Sequence, residues 1–193
     1  MDTNLILKNV SKHISLTDAE EKIFTSMLEH RSIKRKQVHH RAGDICRHTT
    51  FIVDGALKGY TVDKDGGEHV INFALQDWWI ADMYSLLSQK PGVLTIEAIT
   101  DSEMLMLPHD KQESLYQQVP KFERFFRILV QNALVANQQR IINNLSLTAE
   151  ERYQHFTTKY PFILDCAPLH SIASYLGMTP EFLSKIRRRM AGK

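Results

Sequence analysis

Between about residues 33 and 107, apolar residues occur in short runs that turn residues separate. Asp-Gly pairs at 54–55 and 65–66 lie between such runs and favour hairpins. Short strands at even spacing are typical of rolls and barrels, so the pattern predicts a small antiparallel β domain. The predicted strands include Phe51–Val53, Leu57–Val62, Val70–Phe73 and Leu94–Ile99.

The apolar spacing is helical on both sides of this segment. Residues 15–30 repeat apolar side chains at helical spacing behind Thr17, a suitable N-cap. From Pro120 to about Asn143 the pattern predicts a helix of roughly 24 residues, about 36 Å long. One small β domain cannot cover a stripe of that length, so part of it is expected to face a second subunit; packing within its own chain is the alternative. The stripe comprises Phe122, Phe125, Phe126, Leu129, Ala133, Ala136 and Ile141.

Residues 169–190 have the pattern of a helix-turn-helix. The first helix ends at Gly177, because glycine adopts a left-handed backbone without steric cost. Its buried face is predicted to comprise Ile172, Ala173 and Leu176. A capping box at Thr148–Glu151 opens an earlier helix over Ala149–Lys159, so the domain boundary is expected near residues 143–147.

The second helix of this unit is predicted over residues 180–190. Thr179 is a good N-cap, Pro180 suits the first helical position, and Glu181 complements the positive helix end. Leu183 and Ile186 give the helix a buried side. A basic outward face suits insertion into the major groove of DNA, although an ordinary αα-hairpin has the same turn. The predicted DNA-binding residues are Thr179, Glu181, Ser184, Lys185, Arg187 and Arg188.

Charge supports this assignment through its distribution. The chain of 193 residues has a net charge of only +2, which excludes a nucleic-acid coat over the whole surface. The segment 181–193, however, carries five basic residues against one acidic residue, and phosphate contacts supply much of the affinity for DNA. A solvated charged tail is the alternative for this segment alone.

Other chemistry is sparse. Cys46 and Cys166 lie far apart, which fits a reduced intracellular protein and excludes a four-cysteine iron–sulfur site from this chain alone. No apolar run has membrane-spanning length and no signal peptide is evident, so a cytoplasmic location is expected. The neighbours His39 and His40, with His48 nearby, are expected to be exposed rather than metal ligands. No catalytic arrangement stands out, so neither an enzyme nor a cofactor or metal site is predicted.

Taken in order, these parts resemble the Crp/Fnr superfamily of transcription regulators. Members combine a cyclic-nucleotide-binding-type β-roll, a dimerising central helix and a C-terminal winged helix-turn-helix. The resemblance covers the chain from about Ser15, and it rests on the order and spacing of several short motifs. These are Ala42-Gly43-Asp44, Phe51–Gly55, Asp65–Glu68 before Val70–Phe73, the Pro120 helix, Thr148–Tyr153 and the helix-turn-helix.

The resemblance implies an α+β fold. A sensor domain would occupy residues 1–145, and it would consist of an antiparallel β-roll of the jelly-roll type, its flanking helices and the long dimerisation helix. An all-α helix-turn-helix domain would occupy residues 146–193. It further implies a homodimeric DNA-binding transcription regulator whose partners are double-stranded DNA, a second copy, RNA polymerase and an unidentified small-molecule effector, with no membrane. In the second helix of the helix-turn-helix and at its N-cap, Thr179, Glu181 and Lys185 match family positions that contact DNA. Pro180 stands where the family usually has a basic residue.

The chain departs from the family in the phosphate-binding cassette. The family has a Gly-Glu pair and, about ten residues later, an arginine, whereas Ala81-Asp82 and the stretch Gly92–Ala98 offer no arginine. A desolvated phosphate needs a charge partner, and Asp82 would repel it, so no response to cyclic AMP is expected. An effector pocket for a different ligand is predicted, and packing in the core is the alternative for the two tryptophans. The predicted pocket residues are Trp78, Trp79, Asp82, Met83, Asn137 and Gln138.

Two further functions remain open. Only three residues follow Met190, so the family's β-wing is expected to be missing, and the β-roll could act through a protein partner instead of DNA. A cupin-like metalloenzyme is the third possibility, but no His-x-His strand motif occurs in the chain.

Overall fold

The computed structural model describes residues 2–192, with no side-chain placement for residue 191. Two four-stranded sheets form the body, with strand orders β1-β8-β3-β6 and β2-β7-β4-β5, and every pairing is antiparallel. The predicted β-roll is therefore confirmed. Its strands are β1 (Glu29–Ile33), β2 (Val38–His40), β3 (His48–Asp54), β4 (Ala56–Val62), β5 (Glu68–Leu75), β6 (Trp79–Ile80), β7 (Thr95–Ala98) and β8 (Ser102–Pro108).

Helices precede and follow the strands of the roll, and one short helix lies between β6 and β7. They are α1 (Asn4–Ser11), α2 (Asp18–Ser26), α3 (Met83–Ser88), α4 (His109–Gln118), α5 (Lys121–Ser146), α6 (Ala149–Lys159), α7 (Ile163–Cys166), α8 (Leu169–Tyr175) and α9 (Pro180–Ala191). The capping boxes at Thr17 and Thr148 both form, which explains why α2 and α6 begin where their sequences predict. Within residues 2–192 no helix is long and apolar enough to cross a membrane.

The two Asp-Gly pairs have different roles. Gly66 (φ +83°) lies in the turn between the paired strands β4 and β5, where Asp63 accepts hydrogen bonds from Asp65 N and Gly67 N; this hairpin is confirmed. At Gly55 (φ +90°) the hairpin prediction is wrong, because β3 and β4 belong to different sheets. The chain turns there between the sheets, and a Cβ on Gly55 would lie 2.5 Å from Asp101 O.

Three apolar clusters account for most of the core. One lies between the sheets, and a second joins α1, α2, α4 and the first turns of α5 to the outer face of β3 and β8. The third joins the C-terminal helices to the sheet containing β4 and β5, and includes Tyr60, Val70 and Phe73 from the roll. Ser174 Oγ of α8 also accepts from Val70 N and donates to Glu68 O, so the C-terminal helices rest directly on β5.

The helix-turn-helix has the predicted architecture. α8 ends before Gly177, whose φ is +66°, and α9 begins behind Thr179, whose hydroxyl oxygen accepts from Phe182 N at 3.2 Å. The residues predicted to be buried on both helices are buried: Ile172, Ala173, Leu176, Leu183 and Ile186. Burial of this face fixes which side of α9 remains accessible.

Candidate nucleic-acid interface, dimer face and sensor pocket

The exposed side of α9 is polar and basic. Glu181 and Lys185 lie four residues apart and both are exposed, as are Arg187 and Arg188. None of these four side chains forms an ion pair with a residue in the described part of the chain. Arg189 differs, because it pairs with Glu150 of α6. The unpaired charges are therefore available to an external anion such as a phosphate group.

Two further predicted DNA-binding residues have local structural roles. Thr179 uses its hydroxyl oxygen to cap α9, which leaves the hydroxyl proton available to a phosphate oxygen. Ser184 is half-buried and donates to Pro180 O at 2.9 Å, so its hydroxyl is partly occupied within the helix. Phe182, which the sequence interpretation did not include, is 46% exposed beside Glu181 and adds an apolar contact surface.

The long helix α5 has two apolar faces, and only one is covered. Phe122 and Phe125 are fully buried, Phe126 is 8% exposed, and Leu129 packs against the same cluster. Ala136 is half-buried beside α6, and Ala133 is exposed. The part of the predicted stripe that contains the three phenylalanines therefore belongs to the core of its own chain and does not face a partner subunit.

The uncovered face lies on the opposite side of the distal half of α5. Between residues 130 and 146 the only charged residue is Arg140, and its guanidinium donates to Ile71 O on the covered side. The remaining face carries large apolar side chains that a solvent-facing helix ordinarily lacks. The exposed residues are Val130, Leu134, Val135, Ile141, Ile142 and Leu145. Leu134, Ile141 and Leu145 follow the seven- and four-residue spacing of a coiled-coil seam, a signal that the sequence interpretation missed.

In the segment that resembles the phosphate-binding cassette, the Asp82 carboxylate occupies the backbone N–H donors that a phosphate would need. Asp82 is 1% exposed and caps α3 by accepting from Ser85 N at 3.1 Å. Its second oxygen accepts from Val93 N and Leu94 N, each at 2.9 Å. An internal anion thus occupies three backbone donors that converge from α3 and from the segment before β7. A bound phosphate would have to displace it.

The tryptophans do not form the predicted pocket. Trp79 is half-buried, its Nε1 donates to Asn9 Oδ1 at 2.9 Å, and its ring packs against Phe51 and Phe126. Trp78 instead lies edge-on to Tyr160 of the C-terminal helices, 5.4 Å between ring centroids. The prediction of a shared Trp78–Trp79 ligand pocket is therefore wrong, because successive side chains here point to different clusters.

The other predicted pocket residues are also separated. Met83 is 40% exposed on α3, whereas Asp82 beside it is buried. Asn137 and Gln138 are exposed on the distal half of α5, and Gln138 lies on the uncovered apolar face. Within residues 2–192, the cavities of about 580 and 310 Å³ are lined by none of Asp82, Asn137 and Gln138, so neither cavity joins these positions into one site.

Three histidines, His39, His40 and His48, line an open cavity of about 310 Å³ in the roll. His39 is half-buried rather than exposed, and its Nε2 lies 2.9 Å from Thr50 Oγ1. Burial lowers the pKa of His39 to about 4, and the positive charge of Arg31 acts in the same direction. No group of three His, Cys, Asp or Glu side chains in residues 2–192 has a metal-binding arrangement.

We expect acidification to destabilise the fold through this histidine. A histidine in the unfolded chain has a pKa near 6.5. Between about pH 6.5 and 4, the unfolded chain is therefore protonated at this position whereas folded His39 stays neutral. Stability is therefore highest above about pH 6.5 and falls as the pH drops towards 4, by roughly 3 kcal/mol over the full window. Urea unfolding of His39→Gln at pH 7.0, 5.5 and 4.5 should show a flatter pH dependence than the original chain. An unchanged slope, with the exposed His170→Gln as control, would contradict this assignment.

Comparison with known proteins identifies the fold. Residues 30–119 match the cyclic nucleotide-binding domain family. An anaerobic regulatory protein of Pasteurella multocida is 24% identical over 82% of this chain and 61% of its own length. A fumarate and nitrate reduction regulatory protein of Vibrio cholerae is 25% identical over 81% of this chain and 66% of its own length. The chain is therefore similar to these two regulatory proteins over most of its length, and residues 30–119 resemble a cyclic nucleotide-binding domain.

Two solved structures have the same overall fold. FixK2 from Bradyrhizobium japonicum superposes with a TM-score of 0.75 at 19% identity, covering 86% of this chain and 85% of that one. The c-di-GMP responsive global regulator CLP of Xanthomonas campestris superposes with a TM-score of 0.71 at 13% identity, covering 91% and 92%. The chain spans a little under two thirds of the length of the first curated relatives, 61% and 65%.

Proposed function

We propose that this chain is a homodimeric transcription regulator of the Crp/Fnr type that binds double-stranded DNA with α9 in the major groove. The observation that carries the proposal is the exposed face of α9, on which Glu181, Lys185 and Arg188 have no ion-pair partner in the described chain. A carboxylate can accept from cytosine, and a cation can contact guanine or phosphate. Phosphate contacts position the helix, and the base contacts select the sequence.

A second copy is the partner we propose for the uncovered face of α5. That face is apolar and uncharged, and its coiled-coil spacing suits a symmetric pairing of two identical helices. Pairing would place two α9 helices about one DNA turn apart, roughly 34 Å, on a near-palindromic site. We place the division between sensor and DNA-reading domains at residues 146–148, where α5 ends and the Thr148 capping box begins.

Substitutions on α9 should separate base recognition from general affinity. Glu181→Ala is expected to relax the preference for one base pair by about 1–3 kcal/mol, because it removes a base-edge acceptor. Arg188→Ala should weaken binding to all sequences alike and reduce the salt slope by about one, because it removes a phosphate contact. Selection from a random DNA library gives the preferred site, and fluorescence anisotropy across a salt series gives the affinities.

Lys8→Ala is a suitable control, because Lys8 is an exposed cation on α1 at the opposite end of the chain sequence. It should leave both the preferred site and the salt slope unchanged. An unaltered preferred sequence for Glu181→Ala would refute the role of Glu181. If the intact protein shows no salt-dependent DNA binding at all, the alternative function is favoured, in which the roll acts on a protein partner.

The effector of this regulator is not expected to be a cyclic nucleotide. Asp82 occupies the converging backbone donors, and no arginine lies in residues 92–98 to hold a cyclic phosphate. Loss of such a charge-assisted, desolvated contact costs about 2–5 kcal/mol, which moves a micromolar Kd towards millimolar. Titration calorimetry with cyclic AMP and cyclic GMP should therefore give no binding at micromolar concentration. A low-micromolar Kd for either nucleotide would falsify this expectation.

The remaining partners follow from the same proposal. A regulator of this type acts with RNA polymerase in the cytoplasm and needs no catalytic site of its own. Cys46 is buried in the loop before β3 and Cys166 is half-buried at the end of α7, and two cysteines cannot supply a four-thiolate cluster site.

A further inference from the structure

A crevice separates the distal half of α5 from the helices that support α9. It has a volume of about 580 Å³, within the range of small-molecule sites. α5 contributes Ala136 and Arg140, α6 contributes Arg152 and Tyr160, and α8 contributes Tyr175. The crevice therefore lies between the proposed dimerisation helix and the proposed DNA-reading unit.

Two arginines in the crevice have unused donors. One terminal nitrogen of Arg140 donates to Ile71 O at 2.6 Å, and one of Arg152 donates to Leu176 O at 2.9 Å. The Nε atom of each side chain is buried and has no hydrogen-bond partner in the structure. A buried donor without an acceptor is costly, so both positions favour a ligand that brings an acceptor.

The charge of the crevice favours an anion. Arg140, Arg152 and Lys159 line it, against a single carboxylate, Glu151. That carboxylate is already committed, because it accepts from Thr148 N and Thr148 Oγ1 in the capping box of α6. The hydrogen bonds from Thr148 also lower the pKa of Glu151. It therefore remains anionic at neutral pH and leaves the two guanidinium groups without an acidic partner.

Aromatic rings form the apolar wall. Phe156, Tyr160 and Tyr175 pack on one another with centroid distances of 5.3–6.2 Å, and all three line the crevice. The Arg140 guanidinium lies 4.9 Å from the centroid of the Tyr175 ring. Phe156 and Tyr160 are only 3% and 8% exposed, whereas Tyr175 is half-buried. A ring system on the ligand would therefore contact chiefly the Tyr175 side of this wall while its anionic group meets the arginines.

We propose that this crevice binds a small molecule with an aromatic ring system and one anionic group, either a carboxylate or a phosphate. Such a ligand would contact α5 together with α6 and α8, so its occupancy would couple the sensor part of the chain to the orientation of α9. This regulatory consequence rests on the proposed function; the binding itself does not.

The test uses the intact protein without DNA. Titration calorimetry is performed with 1-naphthoate, 1-naphthyl phosphate and the neutral 1-naphthalenemethanol. We expect at least one of the two anions to bind, at least tenfold more tightly than the neutral compound, and the tighter anion identifies the preferred group. Arg152→Met should weaken anion binding at least tenfold, because it removes one of the two unused Nε donors.

A second variant guards against loss of folding in Arg152→Met. Ala136→Trp keeps both arginines and fills the crevice, whereas Ala133→Trp places the same side chain on an exposed turn of α5 as a matched control. We expect Ala136→Trp to lose anion binding at least tenfold and Ala133→Trp to retain it, with unchanged circular dichroism in both. No binding of either anion, equal binding of the neutral compound, or unchanged binding by Ala136→Trp would overturn the proposal. DNA binding measured separately shows whether the proposed function fails independently.

Discussion

Replacing both Leu134 and Ile141 with glutamate is expected to convert the proposed dimer into monomers. These side chains are 65% and 57% exposed and lie on the uncharged face of α5, so in a symmetric pair four carboxylates would meet in an apolar seam. Sedimentation equilibrium should then give the chain mass of 22.3 kDa, against about twice that value for the original protein. DNA affinity should fall by a factor of about 10² or more, because the two half-sites are no longer bound by two α9 helices that belong to one dimer.

A matched variant separates this effect from general damage to α5. Ala133→Glu introduces the same charge at an exposed position outside the seam, and it should remain dimeric. Leu129→Glu is expected to destabilise the fold instead of the dimer, because Leu129 packs against the core of its own chain. A monomeric original protein at micromolar concentration, or a dimeric double variant, would exclude this interface.

Local signals in the sequence located most elements of the fold. The helices α2, α6 and α9 begin at predicted N-caps, since a side-chain oxygen that accepts from the backbone fixes the first turn without tertiary help. The strands β4 and β5 follow from the alternation of apolar runs and the Gly66 turn. The helix-turn-helix follows from Gly177 and the apolar residues on either side.

The covered face of α5 could not be assigned by spacing alone. The helix carries apolar residues on two sides, and periodicity cannot show which side meets the core of the same chain. The structure resolves this through Phe122 and Phe125, which pack in the cluster that α1 and α2 complete. α1 itself was not predicted, and it is tied to the roll by Asn9, which donates to Asp77 O and accepts from Trp79 Nε1.

The structural role of Asp82 also could not be predicted from the sequence. From the sequence, Asp82 was expected only to repel a bound phosphate. The structure adds that Ser85 N, Val93 N and Leu94 N converge on the carboxylate from two separate segments. Backbone donors are identical in every residue, so their convergence depends on the fold and leaves no pattern in the side chains.

Asp82→Ala is expected to lower the free energy of unfolding by about 3–5 kcal/mol. The substitution leaves three backbone N–H groups at a 1% exposed site without their acceptor, and each unsatisfied donor costs about 1–3 kcal/mol. It also removes the N-cap of α3. Asp82→Asn retains one acceptor oxygen but places an amide against the remaining donors, so an intermediate loss is expected. Urea unfolding followed by circular dichroism measures both, with the exposed Asp65→Ala as the control. A loss below about 1 kcal/mol for Asp82→Ala would show that water replaces the carboxylate, and the cassette would then be open to an external anion.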